Sequence, residues 1–383
     1  MHALNRLARH HSSGSFASLL KRKVSTTSAG GVNVLGFENK GPSATSSLTV
    51  AIKAGSRYET TPGVAHVLKS FAYKATASAS ALRTAREAEL YGGILSASLG
   101  REHLLLSAEF LRGDEEHFLN VLASVLSSSQ YYQHELKELV LPVVELESLA
   151  ASTSPSVVAF DLAHAIAFRR GLGNSLPTSP LLELSAYFGG EARAALDIHA
   201  PATSTPTVIL AYGTSSPATA DLKVLKHLLG GETSVKWTPG VSPLSKAADK
   251  LPGASAKAFL LPYSDAALFG VILSAPTSAQ TKILAQEVAS IIKNAGAEFK
   301  EDEVKRAVAK ATFEDATSTE TLTGLVNAVA PAALAGSAIK ATSFSGVSTS
   351  SVAKAAANLL KSKPTVVGVG NLSVLPYADE LGL

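Results

Sequence analysis

No cysteine occurs anywhere in the 383 residues. That excludes disulfides, thiolate zinc sites, cysteine-ligated iron–sulfur clusters and covalent haem attachment, so any redox role falls to a neighbouring protein. Charge is scarce too: Asp, Glu, Lys and Arg make up 17% of the chain, beside 46% hydrophobic residues. That balance supplies ample core and hints at surface buried against partners. The net charge of +3 is small, and no basic stripe is interleaved with aromatics, so a nucleic-acid partner is set aside. No apolar run reaches the ~18 residues of a membrane span. The nearest, residues 322–339, is interrupted by Asn327, Pro331 and Gly336 and reads as a buried, kinked helix pair.

What is present begins with an address. Residues 1–23, "MHALNRLARHHSSGSFASLLKRK", hold Arg6, Arg9, Lys21, Arg22 and Lys23, and the first acidic residue is Glu38. Leu4, Leu7 and Ala8, then Phe16, Leu19 and Leu20, recur at helical spacing. Basic, amphipathic, Ser-rich and free of acid is the pattern of a mitochondrial presequence. Cleavage is expected around Val24. His10 and His11 fall inside this segment and carry no site.

The remainder repeats itself. "SLTVAIKAGSRYETTPGVAHVLKSF" (47–71) has a counterpart in "TPTVILAYGTSSPATADLKVLKHLL" (205–229). Each is a β-rich run ending at Gly55 or Gly213, then a polar loop with Pro62 or Pro217, then an apolar helix. Residues 103–127 and 267–293 both read strand, turn, helix, with Asp114 and Glu115 in the first turn of the first helix, where its dipole favours acids. "HELKELVLPVVELESLAA" (134–151) and "FKEDEVKRAVAKATFEDA" (299–316) follow as amphipathic helices. The second is expected to carry Glu301–Lys305 and Asp302–Arg306 pairs on a solvated face. Strands come first and helices after in each half, without βαβ alternation. The spacing therefore predicts an α+β fold of two homologous domains, each a mainly antiparallel sheet with helices packed on one face. "HAPATSTPT" (199–207) is the natural linker. The second half ends in a strand and short helix, "KPTVVGVGNLSVLPYADEL" (363–381), for which the first half shows no equivalent between Gly173 and the linker. "VVGVGNL" lacks the third glycine and the Lys-Ser/Thr ending of a phosphate loop and reads as a strand end.

One stretch invites a chemical reading: "GVAHVLKSFAYKAT" (63–76). Zinc hydrolysis needs three protein ligands, an open water position and a general base, and the inverted H-x-x-E-H motif supplies two ligands and the base on one helical face. Here His66 takes the first ligand position. Lys69 stands where the base belongs, a cation that repels Zn²⁺, and the neutral hydroxyl of Ser70 stands at the second ligand position. That set does not make a metal site. Without further context, His66 on an apolar helix reads as a partly buried histidine, Glu147 as an exposed helix carboxylate, and His164 as packing.

The stretch "AGSRYETTPGVAHVLKSFAYKAT" resembles the pitrilysin-type mitochondrial processing peptidases and their relatives, the core proteins of respiratory complex III. "ELESLAA" followed by "AFDLAHAIAFRRGLGNSL" looks like the family's next segment, and the resemblance puts Glu147 at the third-ligand position. It covers nearly the whole mature chain. It implies a presequence at 1–23, peptidase-like domains at 24–199 and 207–383, and a linker at 200–206. Because Lys69 and Ser70 depart from the motif, it implies descent from a peptidase without catalytic residues, metal or cofactor. The family's strand and helix between "GLGNSL" and "YFGGEAR" are missing here. The substrate-recognising subunit of the processing peptidase carries a long glycine-rich loop. The matching region, 228–250, has only Gly230, Gly231 and Gly240, which favours the core-protein branch. That branch implies a structural role on the matrix side of the mitochondrial inner membrane, peripheral to it. It also implies pairing with a homologous core protein and contact with cytochrome b, cytochrome c1 and the iron–sulfur subunit of a dimeric complex. Finally, it suggests that Lys69 pairs with Glu147, a cation replacing the lost metal charge.

Overall fold

The computed structural model describes residues 24–29, 32–37, 44–61, 63–169, 171–174, 185–196, 201, 204–231, 240–295, 299–334 and 342–383. The expected presequence, residues 232–239 of the 228–250 loop and the place of the missing strand and helix lie outside them.

Strands β1 (Val24–Ala29) and β2 (Val32–Phe37) form an antiparallel hairpin. Next come β3 (Thr45–Ile52), helices α1 (Val64–Phe71) and α2 (Ala81–Leu90), strands β4 (Ile94–Leu99) and β5 (Leu104–Leu111), and helix α3 (Glu115–Ser128). Helix α4 (Leu141–Ser152) continues out of a π turn at Leu136–Val140. Pro142 in its first turn lacks an N–H, and the wider turn just before it accommodates the lost hydrogen bond. Helix α5 (Pro155–Phe168) and strand β6 (Gly190–Ala194) complete the first half.

The second half runs β7 (Thr207–Thr214), α6 (Ala220–Leu229), α7 (Pro243–Asp249), β8 (Ser255–Pro262), β9 (Ala267–Ser274), α8 (Ser278–Asn294), α9 (Glu301–Ser318), α10 (Leu322–Leu334), α11 (Thr349–Leu360) and β10 (Thr365–Val369).

The repeat is visible in the sheets. β3–β5–β4 and β7–β9–β8 have the same strand order, antiparallel throughout, and four residues join the last two strands in each, 100–103 and 263–266. In the first sheet, Leu104, Leu106, Ala108 and Phe110 face Phe118, Leu122 and Val125 of α3. Alternate residues of β7 separate the two faces of the second sheet, as the two-residue period of a strand requires. Val208, Leu210 and Tyr212 face α6, α8 and α11, while Ile209 and Ala211 face α5. The repeated glycines are both sites of close approach. A Cβ on Gly55 would lie 2.4 Å from the Arg101 carbonyl, and one on Gly213 would lie 2.2 Å from the Tyr187 ring.

Four expectations are corrected. The segment after Gly173 does form a strand, β6, but it pairs in parallel with β10 of the second sheet. "GEARA" has little β propensity of its own, and pairing beside Val-rich β10 supplies it. The 134–151 segment is a helix, yet no residue of α4 is buried; it is not the amphipathic helix expected. Arg306 donates to the backbone carbonyl of Asp302 at 3.3 Å instead of its carboxylate, while Glu301–Lys305 forms at 2.8 Å. Residues 322–334 form one helix that carries Pro331 in its last turn.

The halves exchange helices. Ala159, Ala163 and Ala167 of α5, all fully buried, lie against the second sheet, their small side chains spaced i, i+4, i+8 for close approach. The counterpart α10 returns the exchange, with Leu325 and Val329 on Leu35 and Phe37 of β2, and contacts to β3.

Candidate functional site

Helix α1 starts at Gly63, whose left-handed φ of 80° glycine adopts without strain. Ala65 N donates to Glu59 Oε2 at 3.0 Å, placing an anion where the first turn has free N–H groups. His66 and Lys69 then face α4 across the groove. His66 Nε2 lies 2.5 Å from Glu147 Oε2, and Lys69 Nζ lies 2.7 Å from each Glu147 oxygen. His66 is buried, whereas the Glu147 side chain is 42% exposed. The hydrogen bond from His66, then that from Lys69, holds the Glu147 carboxyl below its ordinary pKa. Ser70 Oγ is buried and has no hydrogen-bond partner among the described residues.

The structure therefore brings together three of the residues the sequence singled out, His66, Lys69 and Glu147, as an ion-pair cluster that leaves out Ser70. The imidazole and the ammonium both bind the carboxylate directly, so Glu147 is held by its own chain's donors where the resemblance puts a metal ligand. Both Glu147 oxygens accept hydrogen bonds from these donors. Among the described residues no group of three His, Asp or Glu side chains is arranged to hold a metal. A catalytic zinc does not fit these residues, because a cation and a hydroxyl stand in place of a base and an imidazole.

His164, read as packing, is buried at 2% exposure. Its Nδ1 lies 2.6 Å from the Phe160 carbonyl and its Nε2 lies 2.6 Å from Tyr263 Oη. Burial, and secondarily the Arg101 charge, push its pKa down to about 3. His10 and His11 lie outside the described residues.

Sequence reasoning missed one cluster at the junction of the halves. Arg57, just after β3, donates to Glu102 Oε1 at 2.7 Å and to Asp265 Oδ2 at 2.6 Å. Ser264 Oγ donates to Glu102 Oε1 at 2.5 Å. Glu102 and Asp265 sit in the two equivalent hairpin loops, 100–103 and 263–266, so the repeat brings its own corresponding loops face to face. Burial opposes the Arg57 charge, but Asp265 and Glu102 outweigh it and raise its pKa. Separations of 45 and 208 residues left no local pattern to read.

Comparison with known proteins bears on the same residues. Residues 35–179 match the family described as Insulinase (Peptidase family M16), and residues 190–311 match the Peptidase M16 inactive domain. The chain is 70% identical to the "Cytochrome b-c1 complex subunit 2, mitochondrial" of Cryptococcus neoformans var. grubii, covering all of both chains. The chain belongs to peptidase family M16. The alignment with the Cryptococcus protein runs over 435 positions, more than the chain's 383 residues, so it contains gaps on this chain's side. The Schizosaccharomyces pombe protein of the same name is 35% identical over 92% of this chain and 93% of its own. The "Mitochondrial-processing peptidase subunit alpha" of Solanum tuberosum is 31% identical, but over only 39% of this chain and 30% of its own. A protease from Helicobacter pylori of known crystal structure shares the fold, with a TM-score of 0.76 at 16% identity over 91% of this chain and 99% of that one. Within this M16 frame the chain is a non-catalytic peptidase homologue.

Proposed function

We infer that this chain is core protein 2 of mitochondrial respiratory complex III, the ubiquinol–cytochrome c reductase, a non-catalytic subunit needed for its assembly and stability. The 70% identity over the full length of the Cryptococcus protein carries this reading. The Lys69–Glu147–His66 cluster supports it, because a cation and the hydroxyl of Ser70 stand where the motif has its base and second ligand, and the cation is paired with Glu147. Association with other complex III subunits follows. The finer picture is pairing with core protein 1, contact with cytochrome b, cytochrome c1 and the iron–sulfur subunit, and membership of a dimeric complex. The chain then sits on the matrix side of the inner membrane, peripheral to it. Among the described residues no helix is long and apolar enough to cross a membrane, which supports attachment through protein interfaces of roughly 2,000 Å² or more. In this scheme residues 1–23 are a presequence removed near Val24, and residues 24–199 and 207–383 are the two peptidase-like units.

Native electrophoresis of detergent-solubilised mitochondria tests the assignment. The chain is expected in the haem-containing complex III band, and migration away from that band would overturn it. The other branch, substrate recognition in the processing peptidase, predicts that presequence cleavage by a catalytic partner depends on this chain.

A further inference from the structure

Helix α4 is apolar and uncovered. Leu139, Pro142, Val143, Leu146, Leu149 and Ala150 recur at i, i+3, i+4, i+7, i+10 and i+11, one face of the π turn and helix, and all are exposed. Leu139 is 46% open to solvent, Val143 45%, Leu146 68% and Leu149 51%. Helices this apolar are normally buried, and a contiguous exposed apolar face marks an interaction site. The inner side of the same helix holds Glu147 against His66 and Lys69.

The second half supplies an internal control. α9 follows α8 as α4 follows α3. It buries Val304, Ala307 and Ala311 and turns Glu301, Asp302, Lys305 and Arg306 outward. The fold therefore does not require an apolar outer face at this position. Along one edge of the α4 stripe stand Glu138 and Glu145, seven residues apart and exposed. Neither is paired with a cation among the described residues.

We propose that the outer face of α4 docks an amphipathic helix of a different polypeptide, one whose apolar stripe is edged by Lys or Arg. The apolar faces close on each other, and the basic edge meets Glu138 and Glu145. A second copy of this chain fits worse. An antiparallel isologous pair sets the acidic edge against its own image, where like charges repel. An anionic lipid surface is repelled by the same edge. The proposal deepens the reading as a subunit of complex III, which indicates where the partner is to be found.

The test places a photoreactive amino acid at Leu146 of the full-length chain, with a control chain carrying it at Ala309 on α9, and irradiates solubilised mitochondria. The expected result is a cross-link from position 146 to another polypeptide, mapped by mass spectrometry to a helical apolar stripe bordered by Lys or Arg. Position 309 gives none to that segment. Leu146→Asp is expected to lower the assembled fraction by about tenfold, while resistance of the chain to protease stays at the wild-type level. A cross-link to a second copy, a cross-link to lipid, or none from a chain that migrates with the complex overturns the proposal. Migration away from the haem band overturns the functional assignment instead, and the cross-linked segment still decides the docking claim.

Discussion

Lys69 Nζ lies 2.7 Å from both carboxylate oxygens of Glu147, across the groove between α1 and α4. The sequence suggested this pair from two residues 78 positions apart, on the argument that a cation would replace lost metal charge. The geometry adds that His66 joins the same carboxylate, so all three side chains are committed to one another.

Replacing the ammonium should reopen the position. The double variant Lys69→Glu, Ser70→His completes an H-x-x-E-H set with His66, and Glu147 becomes available as third ligand. It is expected to retain close to one zinc per chain after dialysis, by metal analysis, with the parent chain at background. A folded variant without zinc would mean that α1 and α4 sit too close to admit the ion.

Arg57 should anchor the two halves together. Its side chain and those of Glu102 and Asp265 are nearly buried, so Arg57→Ala leaves two carboxylates facing each other without a counter-charge. A loss of about 3–5 kcal/mol is expected in chemical denaturation. A change below about 1 kcal/mol, the range of exposed ion pairs, would show that the junction is held by the packing of the exchanged helices and not by this ion-pair cluster.

Stability should fall in mild acid through His164. The unfolded chain binds this proton near pH 6.5, whereas the folded chain binds it only near 3. Between those values the unfolded state carries more protons, so stability drops as pH falls, by at most about 1.4 kcal/mol per unit. Denaturation midpoints between pH 7 and 5 should decline less steeply in His164→Gln than in the parent. Equal slopes would place the acid sensitivity elsewhere.

Gly55→Ala should destabilise by about 1–3 kcal/mol, because the new Cβ meets the Arg101 backbone at 2.4 Å. Gly346, with nothing within 4 Å of an added Cβ, is the control: Gly346→Ala should stay within about 0.5 kcal/mol. Thermal unfolding of the pair measures the difference.

Much of the architecture was legible in the chain because it is local. β-rich apolar runs such as residues 207–214, glycines at strand ends and the echo between halves announce paired strands and helices wherever they pack. The departure of Lys69 and Ser70 from the motif was legible for the same reason, since i+3 and i+4 on a helix share a face. Three features came only with the tertiary structure. β6 forms because β10 lies beside it, α5 and α10 change partners across the halves, and Arg57 meets two loops that only the repeat's symmetry brings together. Each depends on contacts between residues far apart in sequence. By itself the sequence determined the units, their order and the loss of the catalytic set; the tertiary structure decided how the units interlock, because burial and ion pairing act through space and leave no spacing to read.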